Sequence, residues 1–306
     1  MGVDDILHNK VVFHIGYHKT GSTWLQNVYY EQHPHIRLIN NTVRPWDDGF
    51  LRSLIGVSER DFDAQESRAL LRKQIKECGL AEGDVAVVSA ERMSGHPCSG
   101  GYDSLMLARR INKVAPEARV FCLIRGQVEM IESVYRQLVS EGYTGKPESL
   151  LERRMWKTVA FDLGFYEYDK MYHEYADRFG AENVMFAQYE YLRRRPEILL
   201  TEMADFFGVR HEQPMQDSEA VARSLPAYAV NIVRLMNRFR KTELNPFPAV
   251  CMPEFVRSLV VSGLRKSRKK GRVLRQYQRE YIRAYFADSN RRMAQRMELD
   301  LNAYPR

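Results

Sequence analysis

Short, uninterrupted apolar runs alternate with longer amphipathic stretches through most of this chain. Val11–Ile15, Val85–Ser89, Arg119–Ile124 and Val184–Ala187 are dominated by consecutive apolar residues, without the polar alternation of a one-sided sheet. That is the pattern of strands buried on both faces. Ile36–Ile39, after the break at His33-Pro34, reads as a shorter strand of the same kind. Between these runs, Asp61–Glu77, Leu105–Val114, Val128–Ser140, Gly164–Phe179 and Pro196–Phe207 read as helices. Their ends fall at Gly79, before Pro116, at Gly180 and at Gly208, where helices ordinarily stop. Another helix opens at Ser22 and runs to about Glu31. Strands alternating with helices of this length predict βαβ units with right-handed crossovers. The expected fold is α/β: a three-layer αβα arrangement with a central parallel sheet, plus helical additions. In such sheets ligands bind beyond the C-terminal ends of the strands.

The first strand end carries the most informative string, His14-Ile15-Gly16-Tyr17-His18-Lys19-Thr20-Gly21-Ser22-Thr23-Trp24. A strand, a glycine-containing turn and a helix start make a phosphate cradle, because free amides and the positive helix end meet the anion. Gly16 and Gly21 have the spacing of a nucleoside-triphosphatase loop, but Ser22 stands where that loop has lysine, and Lys19 lies inside the turn. At a second strand end sits Arg125, with Ser133 eight positions later on the next helix. A guanidinium fork and a helix hydroxyl at this spacing suit a second phosphate. The alternative is an Arg125 engaged by Glu129 or Glu132, or capping a helix.

Together these strings resemble the family of sulfotransferases that use 3′-phosphoadenosine 5′-phosphosulfate (PAPS). Lys19 with Thr20, Gly21, Ser22, Thr23 and Trp24 is similar to the family's 5′-phosphosulfate loop, and Arg125 with Ser133 to its 3′-phosphate element. His18 replaces a proline common in the animal enzymes. Tyr189-Glu190-Tyr191-Leu192, with Pro196 and Phe206-Phe207-Gly208, resembles the stretch whose tyrosine lies against adenine, which gives Tyr189 that role. Lys269-Lys270-Gly271 looks like the C-terminal loop closing over the 3′-phosphate, with lysine in place of arginine. The resemblance implies a PAPS cofactor, 3′,5′-adenosine bisphosphate (PAP) as its product, and a P-loop-like sulfotransferase fold. It also implies one domain over 1–306, with a nucleotide-binding core at about 10–209. The acceptor-binding and cofactor-closing part follows, at about 210–306.

Sulfuryl transfer to a hydroxyl needs a base for the acceptor's proton and a cation for the leaving phosphate. Lys19 suits the second role. Glu91, just past the Val85–Ser89 strand, is the favoured base, with Asp47, Asp48 and His96 as alternatives. A sulfuryl group needs no divalent metal, and the strand ends lack the aspartate that organises magnesium, so no metal is expected.

The 306 residues carry a net charge of +7, which suits an anionic ligand. No nucleic-acid-binding signature is present, so no nucleic acid is expected; the resemblance implies a small-molecule or glycan acceptor as the partner. No apolar run is long enough for a membrane span and no leader pattern opens the chain. The apolar Phe255–Leu264 stretch beside a basic cluster leaves peripheral membrane contact open. Four scattered cysteines suggest reduced thiols in a cytoplasmic protein. Two other readings remain at this stage: a P-loop small-molecule kinase, and a non-catalytic basic module that binds nucleotide or nucleic acid.

Overall fold

The computed structural model describes residues 10–40, 47–152, 161–212, 225–248, 251, 255, 258, 262–264, 271–300 and 302–305. Five strands, β1 (Val11–His14), β2 (Ile36–Leu38), β3 (Val85–Ser89), β4 (Arg119–Ile124) and β5 (Val184–Gln188), form one sheet in the order β2-β3-β1-β4-β5. Every pairing is parallel, with His14 opposite both Ser89 and Phe121. β1 is central: the chain runs out to β3 and β2 on one side, then crosses to β4 and β5 on the other. The place where that order reverses lies between the C-terminal ends of β1 and β4, where such sheets open a crevice for ligands.

The strands read as continuous apolar runs because both faces are covered. Val11 and Phe13 join one hydrophobic cluster with Val88, Cys122 and Ile124, whereas Val12 joins another with Val87, Phe121 and Leu123. The thinner layer holds α1 (Ser22–Trp24), which widens into a π-helical stretch at Leu25–Tyr30, and α9 (Pro196–Phe207). The thicker layer includes α2 (Gly49–Ile55), α3 (Ala64–Cys78), α4 (Ser104–Val114), α5 (Gln127–Glu141) and α7 (Tyr168–Phe179). Short α6 (Glu148–Leu151) and α8 (Tyr189–Arg194) follow α5 and β5.

All five strands and the six helices read from the sequence are present, with shifted ends. The stretch expected as one helix over 164–179 divides into a 3-10 turn at Leu163–Tyr166 and α7, because Asp162 accepts from the Gly164 amide and closes the turn. α2, α6 and α8 were not expected, nor were α10 (Ala227–Met236) and α11 (Gln276–Met293). α10 packs on α5, and α11 on α5 and α7; Val230, Val233, Ile282 and Phe286 enter the same cluster as the sheet. Among the described residues no helix is long and apolar enough to cross a membrane.

Candidate active site

The loop after β1 is shaped by what turns inward. Tyr17 is buried and donates to the Phe165 carbonyl (2.9 Å), and the buried Thr20 hydroxyl donates to the Tyr17 carbonyl (2.6 Å). With these anchored, Lys19, Gly21 and Thr23 are left at the cleft, with Ser22 buried beside them. Lys19 has φ 69°, the one positive φ outside glycine among the described residues. Backbone strain of this kind gathers at ligand-binding sites. Gly21, at φ +90°, starts α1; a Cβ there would come 3.0 Å from Leu192 Cδ2 and 3.1 Å from Tyr189 Cε2. No side chain caps α1, so its first amides remain for an anion.

Arg125, one residue past β4, reaches back to this loop. Its Nη1 donates to the Lys19 carbonyl (3.0 Å) and its guanidinium lies 5.0 Å from the centre of the Tyr189 ring. Its Nε is buried without a partner among the described residues. Glu129 and Glu132 do not engage it. Glu129 pairs with Arg279 (3.0 Å), and Glu132 accepts from Arg136 (2.6 Å) and from the Val273 amide (3.1 Å). Arg136 also donates to the Gly271 carbonyl (2.8 Å), which fixes the start of the C-terminal segment against α5.

Glu91 opens a 3-10 turn directly after β3. Its Oε2 lies 3.0 Å from His18 Nδ1. Burial pushes this carboxyl up, but the His18 hydrogen bond and charge, with the Lys19 charge, outweigh it and hold the acid below its ordinary value. The Ser22 hydroxyl acts in the same direction from close by, without satisfying hydrogen-bond geometry, and is otherwise unpartnered among the described residues. Behind Glu91, buried His14 bonds to Ser89 Oγ (2.8 Å), while Gln26 and Asn40 donate to the Ser89 carbonyl. Burial lowers the His14 pKa to about 4, against the opposing pull of Glu91, so at neutral pH its ring is an uncharged strut. This network ties the end of β1 to the end of β3.

The Lys19 loop, Arg125 and Glu91 line one cleft of about 570 Å³. It contains Lys19, Gly21, Ser22, Thr23, Trp24, Glu91, Arg125, Ser133, Tyr189 and Gly271 from the sequence reading. His18 stands behind it as the partner of Glu91, and the Thr20 side chain points into the fold rather than to a ligand. Lys269 and Lys270 lie outside the described residues. Of the alternative bases, Asp48 is spent as the cap of α2, accepting from the Leu51 amide and Gln74 (both 2.9 Å). Neither Asp47 nor His96 lines the cleft, and the His96 amide is bound to Asp103.

Sequence reasoning missed Arg136, Gln137, Arg193 and Arg279 as cleft residues, whereas Arg272 ends the string read as the closing loop. Two had a readable signal, since Arg136 and Gln137 follow Ser133 at the i+3 and i+4 positions of one helix face. Arg279 comes from α11, which no motif announced. Lys19 and five arginines thus face Glu91, Glu129 and Glu132, leaving the cleft net positive.

A family profile described as "Sulfotransferase family" matches residues 12–213. No curated protein matches in sequence. Among solved structures, a sulfotransferase from Alicyclobacillus acidocaldarius superposes with a TM-score of 0.56 at 18% identity, over 96% of this chain and 98% of that one. The sulfotransferase domain of the Synechococcus PCC 7002 olefin synthase gives 0.45 at 13%, over 90% and 94%. Mouse sulfotransferase SULT7A1, complexed with PAP, gives 0.40 at 15%, over 98% and 90%. The first of these likenesses is one of fold. The profile runs from β1 past β5 and takes in both the Lys19 loop and Arg125. The chain belongs to the sulfotransferase family.

Proposed function

We propose that this protein moves the sulfuryl group of PAPS to an acceptor hydroxyl on a small molecule or glycan, by in-line displacement. The observation that carries the reading is the meeting of the Lys19 loop with an Arg125 that no carboxylate among the described residues occupies, in one cleft of about 570 Å³. The residues fit the cofactor. Ser22 Oγ and Arg125 Nε are buried polar atoms without a partner among the described residues, and a side chain at Gly21 would close the space beside Tyr189. Lys19 and the amides of Gly21–Thr23 would hold the 5′-phosphosulfate, Arg125 and Ser133 the 3′-phosphate, and Tyr189 the adenine. Gly271 and Arg272, with Lys269 and Lys270 before them, would close the open side. When bound, PAPS supplies an activated sulfuryl group on a phosphate leaving group. Lys19 offsets the charge that grows on that phosphate. Glu91, ionised and fixed by His18, takes the acceptor's proton. The part of the chain beyond about residue 210 supplies Gly271, Arg272 and Arg279 to the cleft, in keeping with a closing role.

Calorimetric titration with PAP tests the assignment. Binding is expected, and Arg125→Ala should weaken it at least tenfold, about 1.4 kcal/mol. A protein that ignores PAP but binds ATP with magnesium would overturn it.

A further inference from the structure

α10 presents three different faces. Ala229, Val230 and Val233 are buried in the core. At 100° per residue, the next face carries Ala227, Asn231 and Arg234, which line a second cavity of about 610 Å³. The remaining face carries Tyr228, Ile232 and Leu235, with Phe239 a turn beyond, all exposed; Leu235 keeps 56% of its surface. Phe247, in the turn that follows, is 92% exposed. Large apolar side chains at i, i+4, i+7 and i+11 form the stripe that a helix ordinarily buries. Here it faces outward.

The adjoining cavity is basic and polar. Lys146, Arg234, Arg272 and Arg275 line it against a single carboxylate, Glu148, which accepts from the Tyr277 hydroxyl (3.2 Å). Gln278 also lines it; the residue is 1% exposed, and its Nε2 has no partner among the described residues. The sequence concentrates positive charge in the same part of the chain. Residues 226–283 hold 14 Lys and Arg against 3 Asp and Glu, whereas the whole chain nets +7, so everything outside that segment is net acidic.

We propose that the exposed stripe of α10 and the basic cavity beside it form a docking surface for an anionic phospholipid membrane. A nucleic acid would use the charge but leave the apolar stripe idle. A phospholipid surface uses both, because acyl chains accept Ile232, Leu235 and the exposed part of the Tyr228 ring, whose hydroxyl donates to the Leu264 carbonyl (3.1 Å), while headgroup phosphates meet Lys146, Arg234 and Arg275. Arg272 lines both this cavity and the active-site cleft, so docking sets the cleft beside the lipid surface. The proposal does not depend on the chemistry assigned to Lys19 and Glu91.

Vesicle sedimentation of the full chain tests it. The protein should pellet with phosphatidylcholine vesicles containing phosphatidylglycerol, not with phosphatidylcholine alone, and added salt should release it. Ile232→Glu with Leu235→Glu should cut the partition by about tenfold or more. Phe247→Glu, at a position 92% exposed, and Lys146→Glu should each weaken it. The thermal unfolding midpoint of every variant should match the parent, which separates lost docking from lost folding. No partition into the mixed vesicles, or partition unchanged by the stripe variants, would overturn the proposal. So would tighter binding to duplex nucleic acid that the stripe variants leave intact.

Discussion

Glu91 and His18 are 73 positions apart in sequence and meet only because β1 and β3 are neighbours, which sets their loops side by side. The pairing has a direct consequence for the acid–base chemistry. Glu91 takes its depressed pKa against the pull of burial, chiefly from the His18 hydrogen bond and charge. An acid held below its ordinary 4.5 stays ionised, and able to accept a proton, down to more acidic conditions. The acid limb of kcat/KM should therefore lie below the usual glutamate range. His18→Ala removes the largest lowering influence and leaves burial opposed only by Ser22 and Lys19, so the limb should move to higher pH; an unmoved limb would assign the proton transfer to another group. Glu91→Gln should lower transfer by about 10²- to 10⁴-fold. The same change removes a negative charge from beside an anion site, so PAP should bind as well as before or more tightly. Weaker PAP binding in Glu91→Gln would instead make Glu91 a structural support of the loop.

α5 shows how one helix serves the fold and the site together. Ser133 faces the cleft, while Glu132 is nearly buried and holds Arg136, Arg279 and the Val273 amide. Glu132→Ala would leave two arginines short of their counter-charge and release the Gly271–Leu274 segment. A cost of roughly 3 kcal/mol is expected, read as a lower midpoint in thermal unfolding, together with weaker PAP binding. Ser133→Ala should weaken PAP by about 1 kcal/mol with the midpoint unchanged. Equal midpoints for the two variants would mean that Glu132 bears no structural weight. The contrast also marks what could be read in advance. The strands were legible because each is apolar on both faces, and Ser133 because it follows Arg125 at a fixed spacing. α11 was not: its inward positions include Gln278, Arg279, Ser289 and Asn290, so the polar residues that bind the C-terminal part to the core erase the helical pattern. α2 was hidden for a similar reason. Its cap, Asp48, has the residue type of a base, but an aspartate that accepts from the amide of a buried leucine three residues on is a helix start.

Across the whole molecule, the cleft collects groups from widely separated parts of the chain: the loop after β1, the ends of β3 and β4, the start of α8, and the Gly271–Arg279 segment. A ligand seated there binds only the folded chain and bridges parts of it far apart in sequence. At a concentration of 100 Kd such a ligand stabilises by about 2.7 kcal/mol, which for a protein of this size is a rise of several degrees in the unfolding midpoint. Hydrogen exchange should show where that stabilisation goes. PAP should slow exchange in Gly16–Thr23 and in the 271–275 backbone, which meet across the cleft. It should leave β2 at the far edge of the sheet and the outer turns of α3 as they were. Slowing confined to Gly16–Thr23 would mean that the C-terminal segment takes no part in holding the nucleotide. The arginines it contributes would then only neutralise charge around the cleft. Slowing in both segments requires a ligand long enough to touch the Lys19 loop and Arg272 at once. A nucleotide with phosphates at both ends of its ribose has that reach, and inorganic phosphate or sulfate does not. The same exchange experiment with inorganic sulfate should therefore protect the loop alone.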